Sequence, residues 1–134
     1  MTALRTSVQD NAGLFRNSRA GDNPLSSRQL VSIATDANAV LTVANVAGGL
    51  LQFTGFTAGR TLTTDTAANI LAANPWMDIG DSFEVDVSIT VAFAGTLVAG
   101  TSVTLAGRAT CPASVLSKLI FTRTGAATVT CTVF

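Results

Sequence analysis

Four carboxylates crowd one short stretch, Asp78-Ile79-Gly80-Asp81-Ser82-Phe83-Glu84-Val85-Asp86. Paired carboxylates carry general acid–base work in glycoside hydrolysis, and clustered ones hold calcium. Glu84 and Asp86 stand two apart, so both project from one face of a strand. Around them, however, the chain offers a single Trp and no Tyr to line a sugar cleft. The spacing is also not that of an EF-hand loop. The cluster therefore reads as a solvated strand end. Histidine is absent, which removes Ser-His-Asp and Cys-His catalysis and His-based zinc sites. Cys131 alternates with threonines on what reads as a core face, and Cys111 precedes Pro112 in an expected loop with no cation nearby to activate it. Gly48 to Arg60 has neither Walker nor dinucleotide spacing. The expectation is a protein without enzyme activity, cofactor or metal. A small glycan hydrolase built on the acidic cluster is the catalytic alternative.

Composition points the same way. Formal net charge is zero and charged residues are 12% of the chain, about half the usual share. A surface so poor in charge resists association weakly, and coverage by a protein partner is the expected remedy. Arginines and aromatics do not interleave as a base-stacking platform requires, so no direct nucleic-acid partner is expected. The opening residues lack the basic-then-apolar pattern of a secretory signal, and no run approaches the ~20 apolar residues of a membrane span. The expectation is therefore a protein made and used without secretion, away from membranes, with free thiols.

The elements that must position these residues divide at about residue 30. Residues 1–30 show no persistent period, and Gly13, Gly21 and Pro24 punctuate them. They hold Arg5, Arg16, Arg19 and Arg28 with scattered apolar anchors at Leu4, Val8, Leu14, Phe15 and Leu25. This reads as an extended N-terminal arm that orders on a neighbouring molecule, its arginines meeting protein. Residues 31–134 read as one β-rich domain. Short strands are expected at Leu30–Ala34, Ala39–Val46 and Gly48–Phe56, with a turn at Asp36-Ala37-Asn38. One helix is expected over Asp65–Asn74, capped by Asp65, with Ala67, Ile70, Leu71 and Asn74 at i, i+3, i+4 and i+7, and stopped by Pro75. Trp76 is expected to close one end of the core, with an exposed interface role as the alternative. A long strand from Gly80 to Phe93 buries Phe83, Val85, Val87, Ile89, Val91 and Phe93. Its other face grades from Glu84 and Asp86 to Ser88, Thr90 and Ala92, and the small end suits close packing against another subunit. Further strands follow over 102–107, 114–124 and 127–134, the last two joined by a type II′ turn at Gly125-Ala126. No βαβ alternation and no internal repeat is evident. The fold class is mainly β: an antiparallel β-sandwich or barrel with one short helix and the arm.

"TLTTDTAANILAANPWMDIGDSFEVDVSIT", "GTLVAGTSVTLAG" and "SVLSKLIFTRTGAATVTCTVF" resemble a pattern found in virion structural proteins, including the capsid decoration (cement) proteins of tailed bacteriophages. The shared elements are a Thr-rich strand, a TAA-type helix ending near Pro, "GDSFE" opening a long strand, and a "GxxVTLxG"-like turn. The resemblance covers roughly residues 60 to 134. It implies a homotrimer that binds the major capsid protein on the outer shell, assembled in host cytoplasm, with no enzyme activity. Leu4, Arg5, Leu14, Phe15, Arg16, Arg19, Arg28, Ser88, Thr90 and Ala92 are the expected capsid or subunit contacts. A tail-fibre or receptor-binding module is the alternative binding role.

Overall fold

The computed structural model describes residues 28–134. The arm expected at the N-terminus lies outside the described residues up to residue 27, and the expected boundary at residue 30 falls inside the first strand. The elements in chain order are β1 (Gln29–Ile33), β2 (Ala39–Leu41), α1 (Val43–Val46), β3 (Gly49–Phe53), β4 (Arg60–Thr64) and α2 (Ala67–Ala73). They continue with β5 (Ser82–Ile89), β6 (Gly95–Val98), β7 (Val103–Gly107), β8 (Thr110–Cys111), β9 (Leu116–Arg123) and β10 (Val129–Val133). The described residues are mainly β, as expected, in two sheets.

From β1 to β9 successive strands alternate between the sheets, and β10 stays beside β9 in the larger one. The larger has the order β1-β3-β5-β9-β10-β7 and the smaller β2-β4-β6-β8. As far as β6, neighbours that are two strands apart in sequence run parallel: β1 with β3, β3 with β5, β2 with β4, β4 with β6. Among the described strands only β5–β9, β9–β10 and β6–β8 are antiparallel, and β10–β7 is parallel. The expected antiparallel architecture is thus corrected to a mixed one. Period-2 alternation fixes which side chains face inward but carries no information on strand direction. A parallel neighbour needs a long crossover, and here each crossover contains a strand of the other sheet. Residues 29–98 therefore wind as three stacked coils.

Among the described residues the expected single helix is two. Thr42 accepts from Asn45 N at 3.2 Å and starts α1; Thr66 accepts from Asn69 N at 3.1 Å and starts α2. Both helices end a coil, and Thr42-Val43-Ala44-Asn45-Val46 matches Thr66-Ala67-Ala68-Asn69-Ile70. This short repeat was hidden because two valines made the first copy read as strand. Asp65 is not the cap of α2. Its Oδ2 accepts from Val43 N at 3.1 Å, so it caps the helix of the preceding coil. α2 buries Ala67 and Ile70 as its spacing predicts, and Asn74 ends it before Pro75.

One core joins the sheets. Leu51, Phe53, Val85, Val87, Ile89, Leu119 and Phe121 of the larger sheet cluster with Leu41, Leu62 and Leu97 of the smaller. A Cβ on Gly95 of β6 would lie 2.5 Å from Leu62 Cδ1 and 3.2 Å from Ile89 Cδ1, so the sheets meet closely there. The expected strand from Gly80 to Phe93 is shorter. β5 stops at Ile89 because β3 ends opposite it at Phe53 and β9 begins opposite Ser88. Val91 only borders the core and Phe93 is exposed. The hairpin between β9 and β10 is present, but its turn is wider than type II′. Thr124 N donates to Thr128 O at 3.0 Å, and Gly125 is not among the residues with positive φ.

Candidate functional site: outer faces and exposed loops

Because the inner faces share one core, the outer faces are where partners can be met. On the larger sheet the pairing register lines up Leu30, Leu50, Asp86 and Lys118 in one row and Ser32, Gln52, Ser88 and Leu116 in the next. A third row holds Glu84, Ile120, Thr132 and Ala106, and a fourth Ser82, Thr122, Thr130 and Thr104. Leu30 and Leu116 are exposed. The smaller sheet presents Val40, Thr63 and Val98 beside Thr61, Thr96 and Thr110. Threonine and valine pairs of this kind stabilise the sheet through cross-strand contacts.

The acidic cluster is dispersed. Asp78 and Asp81 sit in the loop before β5, where Asp81 Oδ2 accepts from Asp78 N at 2.9 Å. Glu84 is exposed and takes Lys118 Nζ at 2.8 Å. That bond raises the Lys118 ammonium above its ordinary value, with the Asp86 charge adding to it. Asp86 is buried rather than solvated, which corrects the expectation for this residue. Arg28 Nη1 holds its Oδ2 at 2.9 Å, and Lys118 Nζ lies 3.4 Å from Oδ1, which accepts no hydrogen bond among the described residues. Arg28, Asp86, Lys118 and Glu84 thus form an alternating ribbon of charge. Strand β9, unremarkable in the sequence, supplies the lysine that makes burial of Asp86 tolerable.

Ser88 lies on the outer face as expected. Thr90 and Ala92 do not continue it, because the strand has ended; Thr90 N bonds Phe53 O at 3.0 Å and both residues are exposed in the loop that follows. Arg28 is tied to the domain rather than reaching from an arm. Leu4, Arg5, Leu14, Phe15, Arg16 and Arg19 lie outside the described residues.

Trp76 is displaced from its expected role. It is 54% exposed, and its neighbour Met77 is the buried residue, at 1%. Ile79 on the same loop is exposed too. Arg123 clasps this loop: Nη1 donates to Met77 O at 2.6 Å, while Nε and Nη2 hold Gly125 O and Ala126 O at 3.0 and 2.9 Å. Gly80 N also bonds Arg123 O at 2.8 Å. A Trp and an Ile thus stand exposed on a loop fixed at both ends. No sequence period marks this loop; the adjacent Pro75 and Gly80 are its only signal.

Both cysteines are free and buried. Cys111 lies in β8, not in a loop. Burial pushes the Cys131 thiol up to about 12, with Cys111 adding to the effect, and burial raises Cys111 as well. That is the reverse of what a thiolate nucleophile needs. Among the described residues no group of three or more His, Cys, Asp or Glu is placed to hold a metal ion, and no helix is long and apolar enough to cross a membrane. No protein family, curated protein or solved structure matches the chain.

Proposed function

We propose that the chain is a virion structural protein, a capsid decoration protein that assembles as a homotrimer on the major capsid protein at the outer shell of a bacteriophage. The observation that carries this reading is the pinned loop presenting Trp76 and Ile79, together with the exposed Leu30, Val40, Val98 and Leu116 of the sheets' outer faces. Exposed aromatic and branched side chains on a fixed scaffold lose little conformational entropy on binding, as interface anchors require. Dispersal of the four carboxylates and inert thiols support a non-catalytic role. We read the two open sheets as a sandwich whose outer faces bridge neighbouring capsid subunits. Stabilisation would come from contact area added across subunit boundaries, after assembly in host cytoplasm.

Light scattering of the purified chain, alone and with undecorated capsids, tests the proposal. A trimer that adds mass to the shells is expected, and Trp76→Ala should abolish that gain without unfolding the protein. A monomer that leaves capsids unchanged would sink it. Exposure of Trp76 and Phe93 in loops also fits a tail-fibre or receptor-binding module. Binding to host cells instead of shells would select that role.

A further inference from the structure

A cavity of about 210 Å³ opens between α1, the end of α2, and strands β3 and β5. Val43, Val46, Ala47 and Phe83 line it, joined by the polar Asn74 and Glu84. It forms where β3 has not yet paired with β5. Leu50 is the first β3 residue paired with β5, opposite Asp86, so Phe83 and Glu84 have no β3 partner on that side. An engineered apolar cavity of about 150 Å³ holds benzene, so this one is large enough for a phenyl ring.

The chain enters the fold beside this cavity. Gln29 N donates to Gly48 O at 3.0 Å, and the Arg28 guanidinium bonds the carbonyl of Gly49, itself part of the lining. The 27 residues before Arg28 contain Leu14-Phe15-Arg16, two apolar residues followed by a cation. Charge complements as well. Residues 1–27 hold three arginines against two aspartates, whereas residues 28–134 hold five cations against six carboxylates, so one part is net positive and the other net negative. Between Arg16 and Arg28 the backbone can span at most about 40 Å, ample for the cavity of its own chain or of an adjacent copy.

We propose that this cavity is the docking site for Leu14-Phe15-Arg16, with the Phe15 ring against Val43, Val46, Ala47 and Phe83 and the Arg16 guanidinium on the Glu84 carboxylate. The proposal rests on the assembly reading above and names the site at which the arm engages. It gives Glu84 a task beyond its exposed pair with Lys118, and gives the arm a fixed anchor from which its remaining residues extend.

Hydrogen exchange of the whole 134-residue chain tests it. Amides of residues 12–18 should exchange about tenfold or more slower than in a free peptide of the same sequence. Ala47→Trp, which fills the cavity from the exposed end of α1, should remove that protection. Glu84→Arg should weaken it about tenfold, and adding Arg16→Glu should restore it. Should Ala47→Trp not fold, Ala73→Trp at the exposed end of α2 fills the same space. Protection that falls on dilution assigns the docking to an adjacent copy, and protection independent of concentration assigns it to the same chain; both uphold the site. Residues 12–18 unprotected in the parent chain, or protection that survives filling, overturns it. Shells still decorated by such a chain would leave the assembly reading standing.

Discussion

The coil half, β1 to β6, and the closing half, β7 to β10, share the same alternation of threonines and apolar residues but are held by different means. In the coil half each turn is tied to the next by side chains. Asp36 of the first coil accepts from Thr57 N at 3.0 Å and from Arg60 Nε at 2.9 Å in the second. Asn38 accepts from Thr61 N at 2.9 Å, and Asp65 of the second coil reaches back to α1. Arg28 spans from the first strand to Asp86 on the third coil. In the closing half most ties are backbone ladders, one of them a local hairpin. Its arginines bond carbonyl oxygens, Arg108 also the Ser117 hydroxyl, and its charged tie is Lys118 of β9, which pairs back to Glu84 and Asp86 of the third coil. Parallel coils pair only distant residues, whose entropy of closure a local turn cannot lower. The side-chain ties sit where that cost is met.

The sharpest challenge to a two-half description is the core, which is common to both. Phe53→Ala in β3 and Phe121→Ala in β9 should each cost about 3–5 kcal/mol, since both rings are almost wholly buried. Phe121 stacks on Phe83 of the third coil, with ring centroids 5.1 Å apart. Loss of either ring should therefore be felt across the division. Urea unfolding followed by Trp76 fluorescence and by far-UV circular dichroism should give coincident transitions in both variants. A Trp76 transition that precedes the loss of strand signal would mean that the coil half unfolds alone.

Much of this was legible in the sequence, and the divide between the halves marks the limit. The closing half reads correctly to within a residue or two at β7, β9 and β10, because its alternation is long and a glycine-bearing turn sits between β9 and β10. In the coil half the inward residues Leu51, Phe53, Val85, Val87 and Ile89 were legible, yet their strands' direction was not. Direction depends on what fills the crossover, and β2 and α1 hid inside one apparent strand. β6 was missed because Gly95 reads as a breaker, although it marks close approach of the two sheets. Asp86 was misjudged since its partners, Arg28 and Lys118, are far away in sequence. Trp76 and Met77 exchange roles because no period operates in a loop to say which of two large neighbours turns inward.

Glycines sharpen the comparison at smaller cost. A Cβ on Gly55 would lie 1.9 Å from the carbonyl oxygen of Ala34, where the second coil passes over the first. Backbone cannot rotate away, so Gly55→Ala should lower stability by about 2 kcal/mol. A Cβ on Gly125 in the closing hairpin meets only the Thr128 hydroxyl at 2.5 Å, the end of a side chain that can turn. Gly125→Ala should therefore change stability by less than about 0.5 kcal/mol. Equal losses in thermal or urea unfolding would remove the claim that packing between coils is the tighter of the two. The charge ribbon follows in size. Asp86→Ala should cost about 1–2 kcal/mol, less than for a fully enclosed pair because Arg28 and Lys118 retain access to water. Glu84→Ala, at the exposed end of the ribbon, should stay within about 0.5 kcal/mol. Reversal of that order would place the weight of the ribbon on its surface pair.

Acid should distinguish the halves most gently. Hydrogen bonds from the Thr57 hydroxyl and amide and from Arg60 lower the Asp36 carboxyl from 3.8 to about 2. Its folded value lies below its unfolded one, so its contribution is complete above the unfolded value and is lost as pH falls through about 2. Asp65 titrates in the same direction: burial raises it, but hydrogen bonds from Asn69, Thr66 and Val43 outweigh that and hold it below its ordinary value. Both carboxylates bind one coil to another. Arg123 instead donates to carbonyl oxygens, which do not titrate. Asp36→Asn should therefore reduce the urea midpoint near neutral pH, and the gap from the parent chain should close as pH approaches about 2. The deficit of Arg123→Gln should stay constant over the same range. A gap for Asp36→Asn that persisted at the acid end would show that its carboxylate acts through shape and hydrogen bonding alone, and the coil half would then lose its distinction as the part of the molecule held by charge.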